Sequence, residues 1–354
     1  CPQDCNAGLC NPTQPAFISR KSWAPIRLSD TGSIRTNTVF APTIVNNDII
    51  FTRADGKIYA YNNRGVSLQN YPYQFVTDPS FSEQISFLEP TTDVNGSGIE
   101  SFFVGGYAGF PQGVPQSLLE RFTKIGNTYS RTGGILIAGR DQSNDIYPKR
   151  AATIAYLTNN LKKYVIFPHT NNLLILEADS LRPAYSVLRI PQKNWAEGSV
   201  AVGDLDMDGN NEIVAQNLDN NVYVYDILGQ YAVERWHRPS YSINSPIIAD
   251  IIKTNVGKEI IVLENKPNPK VRIYSSQGVL LNSWQLDATQ FLPNTIALAD
   301  LIRPELLPVP EMVFYANGYD NNRLGRGVYA FNSAGKLLPG WPYDDNVVDF
   351  SSYS

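Results

Sequence analysis

Histidine is nearly missing from this chain: His169, in IFPHTNN, and His237, in ERWHRPS, are the two in 354 residues. Their separation leaves little for chemistry that needs an imidazole beside a nucleophile or a second metal-binding imidazole. A lone histidine among aromatics is more often packed or hydrogen-bonded than a general base. The sequence also lacks a G-x-S-x-G elbow, a phosphate-cradling glycine loop and a two-histidine zinc motif. The expectation is a protein without catalysis.

A basic excess is missing too. Lys and Arg number 29 against 33 Asp and Glu, for a net charge of -4. Phosphate neutralisation needs clustered cations, so no nucleic-acid partner is expected. No apolar run is long enough to cross a bilayer as a helix.

Cysteine is absent after position 10. Cys1, Cys5 and Cys10 all fall in CPQDCNAGLC, and the chain opens without an initiator Met. The expectation is a processed or trimmed product, secreted or on the cell surface. A local disulfide between Cys5 and Cys10 is favoured, leaving Cys1 free or paired with another chain. A lipid anchor on Cys1 is the alternative, with a three-thiolate metal site behind both.

What is abundant is repetition. AYNNRGVSLQNYPY (60–73) aligns without a gap on AFNSAGKLLPGWPY (330–343). The same strand–turn–strand unit returns as VYVYDILGQYAVERW (222–236) and VRIYSSQGVLLNSW (271–284). Weaker copies lie at 119–134 and 173–191. An aromatic follows the turn glycine by six residues at Tyr71, Trp284 and Trp341, and by seven at Trp236. Upstream of each hairpin stands another strand–loop–strand pair rich in Val and Ile.

One repeat is therefore four short strands in roughly fifty residues, the period of propeller blades. Starts near Pro42, Pro90, Ala152, Val200, Ile247 and Ile296 give six repeats. The fold class expected is all-β, a β-propeller of four-stranded antiparallel blades over 35–354. A seventh blade assembled from both ends is the alternative. Residues 1–34 are expected to be a separate cysteine-containing segment, with a part in closing the ring.

One loop crowds four carboxylates into nine residues. In VAVGDLDMDGNNEIVAQN, Asp204, Asp206, Asp208 and Glu212 occupy the first, third, fifth and ninth places, with Gly209 sixth. Such spacing turns several oxygens toward one point, where a hard cation relieves their repulsion. A backbone carbonyl from Asn210, at the seventh place, suits calcium. The competing reading is a solvated turn whose aspartates cap backbone amides; it accounts for one aspartate more easily than for three.

GDLDMDGNNEIV resembles the calcium loop of FG-GAP/VCBS repeat propellers, the group that includes the integrin α-subunit head, and GKLLPGWP resembles their blade ending. The resemblance implies a propeller with Ca2+ held by Asp204, Asp206, Asp208 and Glu212 through side chains and by Asn210 through its carbonyl. A weaker second candidate is DVNGSGIE, with Asp93, Asn95, Ser97 and Glu100, one residue short. In the loops Asp250–Glu259 and Asp300–Glu311 only the first Asp and the last Glu persist; there the Asp is expected to cap the turn, without metal.

The function expected is protein interaction, adhesion or surface assembly, through a protein partner or self-association. A carbohydrate-binding propeller is the alternative, and an accessory domain of a secreted enzyme the second. The Gly- and Pro-rich stretch 104–118 is a candidate contact loop.

Overall fold

The computed structural model describes residues 42–52, 56–75, 85–91, 100–108, 116–138, 152–158, 162–169, 172–182, 188–189, 200–217, 220–229, 231–242, 245–264, 269–286, 292–301, 310–317 and 327–341. Every named element is a strand, and the strands form six antiparallel sheets in chain order. The first sheet holds β1 (Thr43–Val45), β2 (Asp48–Thr52), β3 (Lys57–Tyr61) and β4 (Tyr73–Gln74). The second holds β5 (Ile85–Thr91), β6 (Ser101–Ala108), β7 (Gln116–Ile125) and β8 (Thr128–Ala138). The third holds β9 (Thr153–Tyr156), β10 (Lys163–His169), β11 (Asn172–Glu177) and β12 (Leu188–Arg189). The fourth holds β13 (Ala201–Gly203), β14 (Glu212–Asn217), β15 (Asn221–Leu228) and β16 (Tyr231–Pro239). The fifth holds β17 (Ile247–Ala249), β18 (Glu259–Glu264), β19 (Lys270–Tyr274) and β20 (Leu280–Gln285). The sixth holds β21 (Leu292–Ala299), β22 (Glu311–Asn317) and β23 (Gly327–Phe331).

In each sheet, neighbours in sequence are neighbours in space, because short loops and turns join them. The second strands β14 (EIVAQN) and β18 (EIIVLE) are buried at every residue, so each carries an unalternated apolar run between polar ends that are themselves buried. The outer strand β16 is mostly exposed, with apolar Tyr231 and Val233 as well as charged residues on its surface.

A four-stranded sheet with two apolar faces needs a neighbour on each side. Five core clusters supply those contacts, each joining one sheet to the next. Ile50 and Ile58 meet Phe102 and Phe122 between the first and second sheets. Phe103 and Leu119 meet Val165 and Leu176 between the second and third. Ile166 and Ile175 meet Ile213 and Tyr223 between the third and fourth. Val214 and Val224 meet Ile260 and Tyr274 between the fourth and fifth. Ile261 and Ile273 meet Met312 and Phe314 between the fifth and sixth. Among the described residues no such cluster joins the sixth sheet to the first.

The repeat read between 60–73 and 330–343 is reproduced bond for bond. Gly65 N–H donates to Asn62 O (2.9 Å), Leu68 N–H to Ala60 O (2.9 Å) and Tyr71 N–H to Leu68 O (3.2 Å). Gly335, Leu338 and Trp341 do the same to Asn332 (3.0 Å), Ala330 (2.9 Å) and Leu338 (3.2 Å). Asn62 and Asn332 each fold their side-chain oxygen over two turn amides, which stabilises the bend. The run after each turn is not the full strand expected: it makes one bridge, Tyr61 with Ser67 and Phe331 with Leu337. Two turn bonds, to Leu68 O and Leu338 O, then bend the chain away from the ladder.

Aromatics after the turn glycine lie between sheets. Trp236 of the fourth sheet covers Gly278 of the fifth, and Trp284 of the fifth covers Gly335 of the sixth. A Cβ on Gly278 would lie 2.8 Å from the Trp236 ring, and one on Gly335 2.5 Å from the Trp284 ring. Trp236 Nε1–H donates to Ser276 O at 2.9 Å, and Arg238 lies 5.6 Å from the Trp236 ring centroid while donating to Gly278 O. Tyr71 reaches from the first sheet to Tyr129 O of the second at 3.3 Å.

The stretch 104–118 is not one loop. β6 runs to Ala108 and β7 starts at Gln116, with Gly105 and Gly106 paired to Leu119 and Leu118. Glycine there continues a ladder whose partner strand supplies the bulk, which composition alone read as irregular.

Candidate metal centre

The acidic loop joins β13 to β14 in the fourth sheet. Its path is a tight coil with Met207 at φ 64° and Gly209 at φ 89°. Asp204 holds it from the start: its two oxygens accept from Asp208 N–H and Gly209 N–H, both at 3.1 Å. Asp208 accepts from Asn210 N–H at 2.7 Å. The capping reading of these aspartates therefore describes part of what they do. Their oxygens also converge, with one carboxylate oxygen each from Asp204, Asp206 and Asp208 within 4.8 Å of one another.

Glu212 takes a different position from its three companions. It opens β14, is 2 % exposed, and accepts from Leu205 N–H at 2.7 Å through Oε2. Its Oε1 faces Arg235 Nη2 at 3.3 Å. Burial pushes its carboxyl up to about 7; the Leu205 N–H and the Arg235 guanidinium pull it down, while Asp206 and Asp208 raise it further.

The same glutamate bond recurs in the next two sheets. Glu259 Oε2 accepts from Ile251 N–H (2.8 Å) and Ile252 N–H (3.1 Å), and its Oε1 from Asn255 Nδ2 (2.7 Å). Glu311 Oε2 accepts from Leu301 N–H at 2.8 Å. The persistent Asp–Glu pair thus has a structural account in which the glutamate is the amide clamp. Asp250 instead takes the side chain of Lys253, at 3.1 Å.

Arg235 was not singled out from the sequence. Register pairs Val224 with Trp236 and Tyr225 with Glu234, so Arg235 is the extra residue of a β-bulge in β16. A bulge re-aims a side chain, and this one meets three acids. Nη2 lies 2.9 Å from Asp206 Oδ2 as well as near Glu212, and Nε donates to Asp226 Oδ1 at 2.5 Å. The three acids hold its pKa up against the lowering effect of burial. Two buried atoms in this network have no hydrogen-bond partner, Asp206 Oδ1 and Arg235 Nη1. No pattern of residue types pointed to it: register sets Asp226 opposite Val233, and the bulge leaves Arg235 without a cross-strand partner.

A calcium ion fits this donor set. Ligands on opposite sides of one such ion stand roughly 5 Å apart, the spread of the three aspartate oxygens. Asp206 Oδ1 is a buried acceptor still lacking a donor, and an unpaired buried acceptor is costly. Glu212 is not part of that convergence and is held by Leu205 N–H and Arg235; Asp204, Asp206 and Asp208 are the side chains that each bring an oxygen to it, Asp204 while also accepting from two loop amides.

The loop also ties three sheets together. Asn211 donates its N–H to Leu157 O (3.1 Å) and its side-chain Nδ2 to Tyr156 O (2.6 Å) of the third sheet. Leu205 O accepts from Lys258 N–H of the fifth sheet at 2.9 Å.

Asp93, Asn95 and Ser97 of the second candidate, and Cys1, Cys5 and Cys10, lie outside the described residues; Glu100 accepts from Lys124 N–H through its carbonyl at 3.3 Å. His237 stacks on Tyr223 (5.2 Å) and contacts Glu234 through Nδ1 at 2.6 Å, in an exposed position. The side chain of His169 lies outside the described residues.

No protein family and no curated protein matches the sequence. Among solved structures, the chain is similar to Saccharomyces cerevisiae Sqt1, with a TM-score of 0.54 at 9 % identity, covering 85 % of this chain and 72 % of that one. It is also similar to BBS1N in complex with ARL6DN (TM-score 0.47, 13 % identity, 78 % and 74 % covered). BamB from Moraxella catarrhalis matches with a TM-score of 0.42 at 9 % identity (87 % and 91 % covered). The fold is propeller-like. At 9 % identity the likeness to Sqt1 extends to the fold and not to function.

Proposed function

We propose that this chain is a non-catalytic interaction module, a six-bladed propeller of the FG-GAP/VCBS kind, exported to the cell surface or beyond. Its fourth blade holds one calcium ion between Asp204, Asp206 and Asp208. The observation that carries this reading is the convergence of three aspartate oxygens within 4.8 Å beside the orphaned Asp206 Oδ1. Bound there, the ion supplies the positive charge that three adjacent carboxylates lack; it performs no chemistry on a substrate.

The protein-binding reading draws support from the outer hairpins of the fourth and fifth sheets. Leu228, Tyr231 and Val233 on one, and Val279, Leu280 and Leu281 on the other, expose large apolar side chains. Exposed apolar groups carried on two successive outer hairpins suit a protein partner or a second copy better than a sugar. Cross-linking mass spectrometry on the native protein tests this: partner peptides joined near 228–233 and 279–281 support it. Specific glycan binding with those segments uncrosslinked contradicts it.

The cation reading has its own test. Since the loop bonds to both neighbouring sheets, removing calcium should loosen more than the fourth blade. Hydrogen exchange in EDTA is expected to accelerate at the amides of Leu205, Asn211 and Lys258, by about tenfold or more for each 1.4 kcal/mol of local stability lost. Asp206→Asn should show the fast pattern even with calcium present. Identical exchange with calcium and with EDTA contradicts the reading.

A further inference from the structure

We propose that Arg235 is a resident counter-cation of the acidic loop, sharing Asp206 with calcium, so that it preserves the metal-free loop and weakens calcium binding. The inference rests on the calcium reading above and adds to it the residue that sets the site's affinity.

The argument starts from charge. Asp204, Asp206, Asp208, Asp226 and Glu212 bring five carboxyl groups to one end of the fourth sheet, and Arg235 is the cation that reaches three of them. Glu212 is buried, and a buried carboxylate is strongly disfavoured without a partner. The guanidinium is held from behind by Asp226 at 2.5 Å, which fixes its orientation toward the loop. A planar group clamped on one edge presents its other edge in a set direction. Nη2 then takes one oxygen from Asp206 and one from Glu212, while Asp206 Oδ1 stays without a donor.

Two consequences follow, with opposite signs. Without calcium, Arg235 offsets the repulsion that would otherwise open the loop. With calcium, the guanidinium is a positive charge a few ångströms from the ion, and it occupies two oxygens that could turn toward it. By linkage, a residue that stabilises the metal-free state more than the metal-bound state must lower calcium affinity. Its position in a bulge matters, because an unbulged β16 would place a different side chain against the loop.

Arg235→Met removes the charge and keeps much of the side-chain volume; Arg235→Lys keeps the charge. In EDTA, Arg235→Met is expected to melt below wild type, and at saturating calcium the gap should narrow. Isothermal titration with calcium chloride should give Arg235→Met an affinity about tenfold higher, once near-surface screening is allowed for. Arg235→Lys keeps the charge without the fork and should fall between Arg235→Met and wild type in both measurements. Calcium binding seen in Arg235→Met and not in wild type also supports the proposal. Wild-type binding left unchanged or weakened in Arg235→Met overturns it alone. An equal loss of melting temperature with and without calcium does the same. No calcium binding by either protein overturns the calcium reading, and this inference with it.

Discussion

Alanine at Gly278 is expected to destabilise the protein by roughly 2–4 kcal/mol, read as a lower denaturant midpoint with an unchanged slope. Two effects combine. The backbone has φ 74°, in the left-handed region where a Cβ is strained. The new methyl would also lie 2.8 Å from the Trp236 ring, inside van der Waals contact. The ring has little room to retreat, since its Nε1–H is bonded to Ser276 O. Gly335→Ala should behave alike, with its Cβ 2.5 Å from Trp284. Gly229→Ala separates the two effects: φ is 63° there, yet nothing lies within 4 Å of the added Cβ. It should cost only about 1 kcal/mol, the backbone part. Equal losses at Gly278 and Gly229 would mean that the tryptophan contact between sheets contributes nothing.

The second large effect is expected at Glu259. This fully buried carboxylate accepts three hydrogen bonds, two from the backbone of Ile251 and Ile252 and one from Asn255. Glu259→Ala strands those donors and leaves a cavity, for a loss of about 3–5 kcal/mol. Glu259→Gln keeps one carbonyl oxygen for the amides and should lose about half as much. Chemical denaturation in calcium and in EDTA measures both. The losses should be the same in the two buffers, because the carboxylate caps a loop that lacks the aspartate triplet. A Glu259→Ala loss present only with calcium would instead make that glutamate a metal ligand.

The sheets were legible because a blade is a local object. Each hairpin carries its own turn signal, such as Asn62 and Gly65 or Asn332 and Gly335, and the sequence separation of the bonded residues is small. Repeat starts read near Pro42, Ala152, Val200 and Ile247 fall within a residue of Thr43, Thr153, Ala201 and Ile247, where first strands begin. Pro90 and Ile296 fall inside β5 and β21, which begin at Ile85 and Leu292. Packing between sheets followed from the same pattern, since an aromatic repeated after each turn has to be covered by something.

The site was legible only in part, for a reason of distance along the chain. Asp204, Asp206 and Asp208 sit in one loop, so spacing alone brings their oxygens together. Arg235 arrives from a strand more than twenty residues later, and a bulge decides which way it points; neither is encoded in a pattern of residue types. Glu212 stands at the loop position that suits a ligand, but at the first residue of a buried strand its carboxylate meets an amide before it meets a cation. The clue was present in Glu259 and Glu311, which persist where the aspartates are lost.

The most direct measurement is anomalous diffraction from crystals grown at millimolar calcium. The account predicts one peak in the loop between β13 and β14, bonded at about 2.3–2.6 Å to oxygens of Asp204, Asp206 and Asp208. A well-ordered loop with no peak there, and Arg235 alone neutralising the acids, would contradict it.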